Sequence, residues 1–294
     1  MNNNFRAHYN KIKIILIWIL ALNWLVAIAK IIFGFISRTS SITADGFHSL
    51  SDGASNIICL VGIYFAGQPT DRDHPYGHKK YETFFSIAIA SILFLVAFEL
   101  IQGAVKRIFN PVIPKIDIYS FIVLVTTMVI NIAVMSYENK KGKQLKSDLL
   151  ISDSLHTRAD ILVSLSVIAA LIMMRLGVKP IIDPVVTIII ALIIAYSAFE
   201  IMREGSRVLC DTIAIIDLKR IIDVVLSVSG VQTCHKIRTR GRSDDIHIDL
   251  HVQVNPSMPI KEAHKISYSI EEALKKQIPE VTDVVVHLEP KENI

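Results

Sequence analysis

Asp45-Gly46-Phe47-His48-Ser49-Leu50-Ser51-Asp52 and Asp153-Ser154-Leu155-His156-Thr157-Arg158-Ala159-Asp160 repeat one pattern, D-x-x-H-x-x-x-D, each inside a long apolar segment. Residues three and four apart share a face of a helix. One helix therefore carries Asp45, His48, Asp52 and Asn56 as a polar stripe, and another carries Asp153, His156, Asp160 and Ser164. An ionisable side chain at the centre of a membrane helix costs about 2.5–3.5 kcal/mol on insertion scales. A polar helix contact accounts for one such stripe, but two matching stripes need compensation. A divalent cation held between the helices supplies it, and His plus Asp is a ligand set for zinc-like metals.

The composition fits a membrane protein. The 294 residues are 52% hydrophobic, and the mean hydropathy of +0.47 is high for a soluble domain. The net charge of +4 is spread among loops with no basic patch, so no nucleic-acid partner is expected. Cys59, Cys210 and Cys234 form no C-x-x-C pair and are odd in number. That excludes a disulfide framework and a thiolate zinc site and suits a reducing cytosolic face. Residues 1–13 are polar and weakly basic, and the apolar run after them is too long for a signal-peptide core and lacks a small-residue cleavage site. It reads as a retained first span.

Apolar runs predict six spans, over 12–36, 42–66, 81–105, 118–137, 148–176 and 181–202. Asn110-Pro111-Val112-Ile113-Pro114 and the turn from Gly177 to Pro180 separate spans three from four and five from six. A basic linker, Lys140-Lys141-Gly142-Lys143-Gln144-Leu145-Lys146, is expected between spans four and five. Basic residues collect on one side of this arrangement, including Arg6, Lys11, Lys13, Arg72, Lys79, Lys80, the linker lysines, Arg203 and Arg207. The positive-inside rule puts that side, and both termini, in the cytoplasm of a multi-pass cell-membrane protein. Spans two and five then run antiparallel, and their stripes meet near the bilayer midplane, where transporters commonly bind substrate.

From Leu209 the pattern becomes that of a soluble domain, giving expected boundaries of 1–208 and 209–294. Residues 217–229 have helical spacing, 231–240 and 246–254 alternate as strands, 259–278 is amphipathic and 283–289 is a last strand. The order α-β-β-α-β is that of a small α+β domain, ferredoxin- or metallochaperone-like, with two helices on one sheet. On the second strand His247, Asp249 and His251 share the face opposite the apolar set. His235, His264, His287 and Glu289 lie on neighbouring elements. Such a cluster suits zinc, although a hydrated polar face explains any single histidine. The loop with Asp71, His74 and His78 is open in the same way: the histidines are four apart, but Pro75 and Gly77 favour a turn over a shared helix face.

Taken together, six spans, H-x-x-x-D in spans two and five, the histidine-bearing loop and the α-β-β-α-β tail resemble the cation diffusion facilitator family over nearly the whole chain. The resemblance implies a tetrahedral transport site of His48, Asp52, His156 and Asp160. It implies a second site at Asp71, His74 and His78. It also implies a cytoplasmic binuclear site from His235, His251, His264, His287 and Glu289, where Glu289 stands in place of a frequent aspartate. Lys80 and Asp211 resemble charged positions that couple the two halves in relatives, whereas span one has no acidic residue. Homodimers that exchange metal for protons across the bilayer are implied as well.

Two imidazoles and two carboxylates around one divalent cation leave the site neutral, which lowers the cost of burying it. Metal and protons compete for these ligands, and tilting helices opens the site to each side in turn. No G-x-x-x-x-G-K-[ST] occurs, so a secondary transporter is expected rather than a nucleotide-driven pump. Zn²⁺ is the expected substrate and structural ion. Fe²⁺, Co²⁺, Ni²⁺, Cd²⁺ or Mn²⁺ are alternatives, with Mn²⁺ disfavoured by the imidazoles. Neither H-E-x-x-H nor an open coordination position is present, so an enzyme is not expected. A metal-sensing membrane receptor or scaffold is the other class, and it leaves the midplane stripes without a purpose.

Overall fold

Long apolar runs free of interior proline give six long helices: α1 (Asn2–Ile36), α2 (Ser40–Ala66), α3 (Lys80–Phe109), α4 (Ile118–Leu145), α5 (Asp148–Arg175) and α6 (Ile182–Leu209). The computed structural model describes residues 2–36, 40–109, 118–175, 181–214 and 216–291, and within α2 it leaves the side chains of Asp45, His48 and Asp52 outside the described set. The expected breaks at 110–114 and 177–180 also fall outside the described residues. Pro184 sits in the first turn of α6, where its missing N–H costs nothing. Among the described residues, 7–36, 80–109, 121–145 and 184–209 are long and apolar enough to cross a membrane. α2 and α5 are the helices whose runs are interrupted by the Asp/His stripes.

The expected bounds of α1, α4 and α6 need correction. The segment 140–146 is not a linker: α4 continues through Leu145 and stops where Lys146 takes φ 49°, with the Ser147 N–H closing back on the Gly142 carbonyl at 2.9 Å. Lysine and glutamine are good helix formers, and charge alone does not end a helix. In the same way α6 extends past 202 to Leu209, and α1 starts well before 12.

Packing brings the helices close. A Cβ on Gly46, within the first stripe, would lie 2.9 Å from the Ile31 backbone nitrogen and 3.1 Å from the Ala27 carbonyl oxygen, so this glycine lets α1 and α2 approach. Ile12 and Leu16 of α1, Cys59 and Ile63 of α2, Ile89 of α3, and Leu149 and Leu150 of α5 form one buried cluster. Ala90, Leu93 and Ala97 of α3 meet Ala159 of α5 and Ile190, Ile194 and Ala198 of α6 in another. Trp18, Leu95, Phe98, Tyr196 and Phe199 point outward, as a lipid-facing rim does.

The chain forms two compact units, Met1–Gly205 and Ser206–Ile294. The second unit contains α7 (Leu218–Leu226), β1 (Thr233–Arg242), β2 (Asp245–Val254), α8 (Ile260–Gln277) and β3 (Val281–Pro290), the α-β-β-α-β order read from the sequence. Asp217 caps α7 by accepting from the Lys219 N–H at 2.9 Å. β1 pairs antiparallel with β2, and β2 pairs parallel with β3 after the α8 crossover. The β1–β2 hairpin depends on Gly241 at φ 108°, where a side chain would fall on the Asp245 carbonyl oxygen. Ile246, Ile248, Leu250, Val252 and Val254 bury against Ile221 and Val225 of α7 and Ile266, Ile270 and Leu274 of α8. Each such side chain contributes about 1.5–3 kcal/mol. That burial leaves the histidine-bearing face of β2 on the outside of the helix–sheet sandwich.

Candidate metal centres

Asp71 organises the loop after α2. Its Oδ1 accepts from the backbone N–H groups of Asp73 at 3.0 Å and His74 at 2.7 Å, and lies 3.1 Å from His74 Nδ1. Its Oδ2 lies 3.4 Å from His78 Nε2. Gly77 takes φ 88° and donates to the His74 carbonyl at 3.0 Å, so the chain doubles back there. The turn, not a shared helix face, brings the two imidazoles together with centroids 4.2 Å apart. His78 is buried, and its Nδ1 has no hydrogen-bond partner among the described residues. The His74 backbone N–H, aided by the His74 ring, holds the Asp71 carboxyl below the usual range. One ligand atom from each of Asp71, His74 and His78 lies within 4.8 Å of the others, a three-donor set able to take a zinc-like ion.

Strand register builds the second cluster. His235 stands opposite His251, and His251 opposite His287, with Glu289 two residues further along β3. Glu289 Oε1 lies 2.6 Å from His251 Nδ1 and 3.7 Å from His287 Nε2, and Oε2 lies 3.2 Å from His235 Nε2. The His251 hydrogen bond is the main reason that the Glu289 carboxyl sits below its ordinary range. His235, His251 and Glu289 present ligand atoms within 4.8 Å, and the His287 ring lies 4.5 Å from that of His251. His264 is elsewhere: it is exposed on α8, edge-on to Tyr268 at 4.8 Å, on a helix that packs on the apolar side of the sheet. The other residues of the polar face pair separately, His247 with Asp245 at 3.6 Å and Asp249 with Arg240 at 3.4 Å.

Between the helices, Ser55 Oγ donates to Asp153 Oδ1 at 3.0 Å and Asn56 Nδ2 donates to Oδ2 at 2.5 Å. Asn56 is in turn oriented by Asn23 of α1 at 3.0 Å. Further along, Cys59 Sγ faces the Leu149 carbonyl, so α2 and α5 run antiparallel. Continuing that register, the preceding turns of α2 carry Asp52 and His48 while the following turns of α5 carry His156 and Asp160. His156 is only 7% exposed, and among the described residues neither ring nitrogen has a hydrogen-bond partner. Asp160 is half-buried, and the side chains of His48 and Asp52 lie outside the described residues. A buried imidazole with both nitrogens free fits a ligand waiting for a cation.

Two fully buried carboxyl groups escape the motif reading. Glu82 of α3 accepts from Ser147 Oγ at 2.5 Å and from the Leu149 N–H at 3.4 Å. Glu138 Oε2 of α4 lies 3.2 Å from Thr157 Oγ1, which is equally close to the Asp153 carbonyl oxygen. Glu138 falls just beyond the span drawn to 137; the available signal was the run of helix-forming residues that carries α4 past it.

Comparison with known proteins gives the same division of the chain into a helical part and a tail. The cation efflux transmembrane domain matches residues 16–210, and the cytoplasmic domain of cation efflux proteins matches residues 215–291. An uncharacterized transporter of Methanocaldococcus jannaschii is 32% identical over 91% of this chain and 94% of its own. The manganese efflux system protein MneS of Bacillus subtilis is 28% identical over 90% of each chain. The cation-efflux pump FieF of Cronobacter sakazakii is 26% identical over 90% of this chain and 88% of its own. A helical transmembrane domain followed along one chain by the family's cytoplasmic α+β domain makes this protein a member of the cation diffusion facilitator family of metal transporters.

Proposed function

We propose that this cation transporter exports divalent transition-metal ions, zinc foremost, from the cytoplasm in exchange for protons, with His48, Asp52, His156 and Asp160 as the transport site. The observation that carries this reading is His156, buried with both nitrogens unpartnered among the described residues, on the turn after the α2–α5 contact at Asp153. A neutral imidazole binds the metal, and a protonated one repels it, so an inward proton gradient drives metal outward. All six helices cross the bilayer, both termini are cytoplasmic, and 1–208 and 209–294 are the membrane and the metal-binding, dimerising domains of a homodimer. Asp71, His74 and His78 form a loop site, and His235, His251, His287 and Glu289 a tail site, each matched by its donor set to a structural zinc ion. Ligation by His264 has no support within one chain, because that residue lies on the other side of the sheet.

Manganese is the second reading, supported by the match to MneS over nine-tenths of both chains. Purified protein in vesicles with a pH gradient, offered Zn²⁺, Mn²⁺, Fe²⁺, Co²⁺, Ni²⁺ and Cd²⁺ in turn, decides between them. Zinc flux that dissipates the gradient is the expected result. Flux of Mn²⁺ alone overturns the zinc assignment, and flux with no proton movement overturns exchange.

A further inference from the structure

Glu138 is 0% exposed and Asp153 is 1% exposed, and Thr157 Oγ1, 3.2 Å from both Glu138 Oε2 and the Asp153 carbonyl oxygen, brings the two residues together between α4 and α5. Their hydrogen-bond partners are unequal. Asp153 receives a donor on each oxygen, Ser55 on Oδ1 and Asn56 on Oδ2. Glu138 has at most one donor, the Thr157 hydroxyl, which Oε2 shares with the Asp153 carbonyl oxygen, and its Oε1 has none among the described residues. A carboxylate only accepts, whereas a protonated carboxyl also donates. Two adjacent buried carboxylates repel each other strongly, and such pairs are stable when they share one proton. The donor pattern says where that proton sits: Asp153 is solvated by its neighbours as the anion, and Glu138 satisfies itself by donating to Asp153. Titratable groups bearing on the pair from the neighbouring elements include Cys59 on α2 and His156 and Asp160 on α5, with Glu82 of α3 beside Cys59.

The pair is also mechanically tied to the transport helices. Asp153 precedes His156 by one turn of α5, and Thr157, which holds Glu138, follows His156 directly. Ser55 and Asn56 bind the same carboxylate from α2, one turn beyond Asp52. A movement of α5 against α2 therefore changes the donors that keep Asp153 solvated as the anion. A cation arriving beside His156 adds positive charge close to the pair and favours its doubly ionised form.

Building on the exchange reading above, we propose that Glu138 and Asp153 form a proton-carrying site that holds one proton while the transport site is empty and releases it when metal binds. In the release step the Glu138 O–H bond breaks and the proton passes to water as hydronium, leaving both carboxylates ionised in the field of the added cation, with Ser55 and Asn56 donating to Asp153. After the metal leaves on the far side, the pair takes a proton from water there and returns with it.

Glu138→Gln tests this, because the amide keeps an acceptor for Thr157 and a donor toward Asp153 but carries no exchangeable acid proton. Two measurements on the full chain in lipid separate the inference from the exchange reading. The infrared carbonyl band of a neutral carboxylic acid is expected in the native protein at neutral pH, lost on saturation with Zn²⁺, and absent from Glu138→Gln. A difference spectrum with no such band, or a band untouched by Zn²⁺, overturns the inference whatever transport does. In vesicles, the number of protons moved per zinc ion is expected to fall by one in Glu138→Gln, a ratio independent of how fast the variant works. An unchanged ratio in the variant, with native protein coupled, overturns the carrier role. Absence of coupling in the native protein sinks the exchange reading instead, and the carrier role with it, while the infrared result still reports whether the pair holds a proton.

Discussion

Asp52 and Asp160 would each bring a negative charge to a buried four-ligand site. Asp52→Ala and Asp160→Ala are each expected to abolish transport while the protein still inserts, because removing a charged ligand lowers metal affinity steeply. Native-rate transport by Asp52→Ala, at matched protein content in vesicles, would remove that aspartate from the site. His48→Asp keeps the ligand count and replaces a borderline nitrogen by a hard oxygen, so preference should move toward Mn²⁺ or Fe²⁺ and away from Zn²⁺. Competition assays with paired metals read that directly. In the tail, Glu289 has its carboxyl below the ordinary range because of His251. A lowered folded-state value stabilises above the unfolded value and is lost as pH falls through the folded one. Metal-free Glu289→Gln tail should thus melt lower than native near neutral pH, and the two melting curves should converge in acid. A gap that persists at low pH would mean the carboxylate charge is not the source of the stabilisation.

At the scale of elements, the junction of α3, α4 and α5 rests on buried acids. Glu82 of α3 satisfies Ser147 and the Leu149 N–H, one of the first-turn donors that a helix cannot satisfy internally. Glu82→Ala leaves both groups without that acceptor and should cost about 1–3 kcal/mol. Glu82→Gln, which retains an acceptor oxygen, should recover part of the loss in thermal midpoint measured in detergent. Equal midpoints for the alanine variant and the native chain would show that another group satisfies the start of α5. The loop after α2 follows the same logic on a smaller scale: Asp71 replaces missing backbone partners, and the turn at Gly77 then presents two imidazoles on one side.

At the scale of the whole molecule, the tail has its own core of β2 clasped by α7 and α8. Expressed from Leu209 onward, it should fold alone and pair when Zn²⁺ neutralises the cluster of His235, His251 and Glu289. Mass in solution and thermal midpoint with and without the ion check this, and no change in either would make those histidines ordinary surface residues. Tags at Met1 and Ile294 should both be reachable only from the cytoplasmic side, because an even number of crossings returns the chain to where it began. Tags on opposite sides would refute the six-crossing arrangement.

Much of this architecture is local and therefore legible in the chain. Hydropathy runs mark the long helices because burial in lipid demands continuous apolar surface, and the alternation along 246–254 marks β2 because side chains on a strand alternate faces. The H-x-x-x-D stripes are equally local, since three- and four-residue spacing fixes a helix face. Helix ends are less legible: the lysines of 140–143 read as a linker, yet they satisfy helical propensity and α4 runs on through them. What only the tertiary structure decided was which polar groups share a burial site. Glu138 reads as an isolated acid until α4 sets it against Asp153, and His264 reads as one more histidine of the tail cluster until α8 packs it on the other side of the sheet. Those pairings depend on helix register and on which face of a sheet a crossover covers. Both are set by contacts between residues far apart in the chain, where spacing along the sequence carries no information.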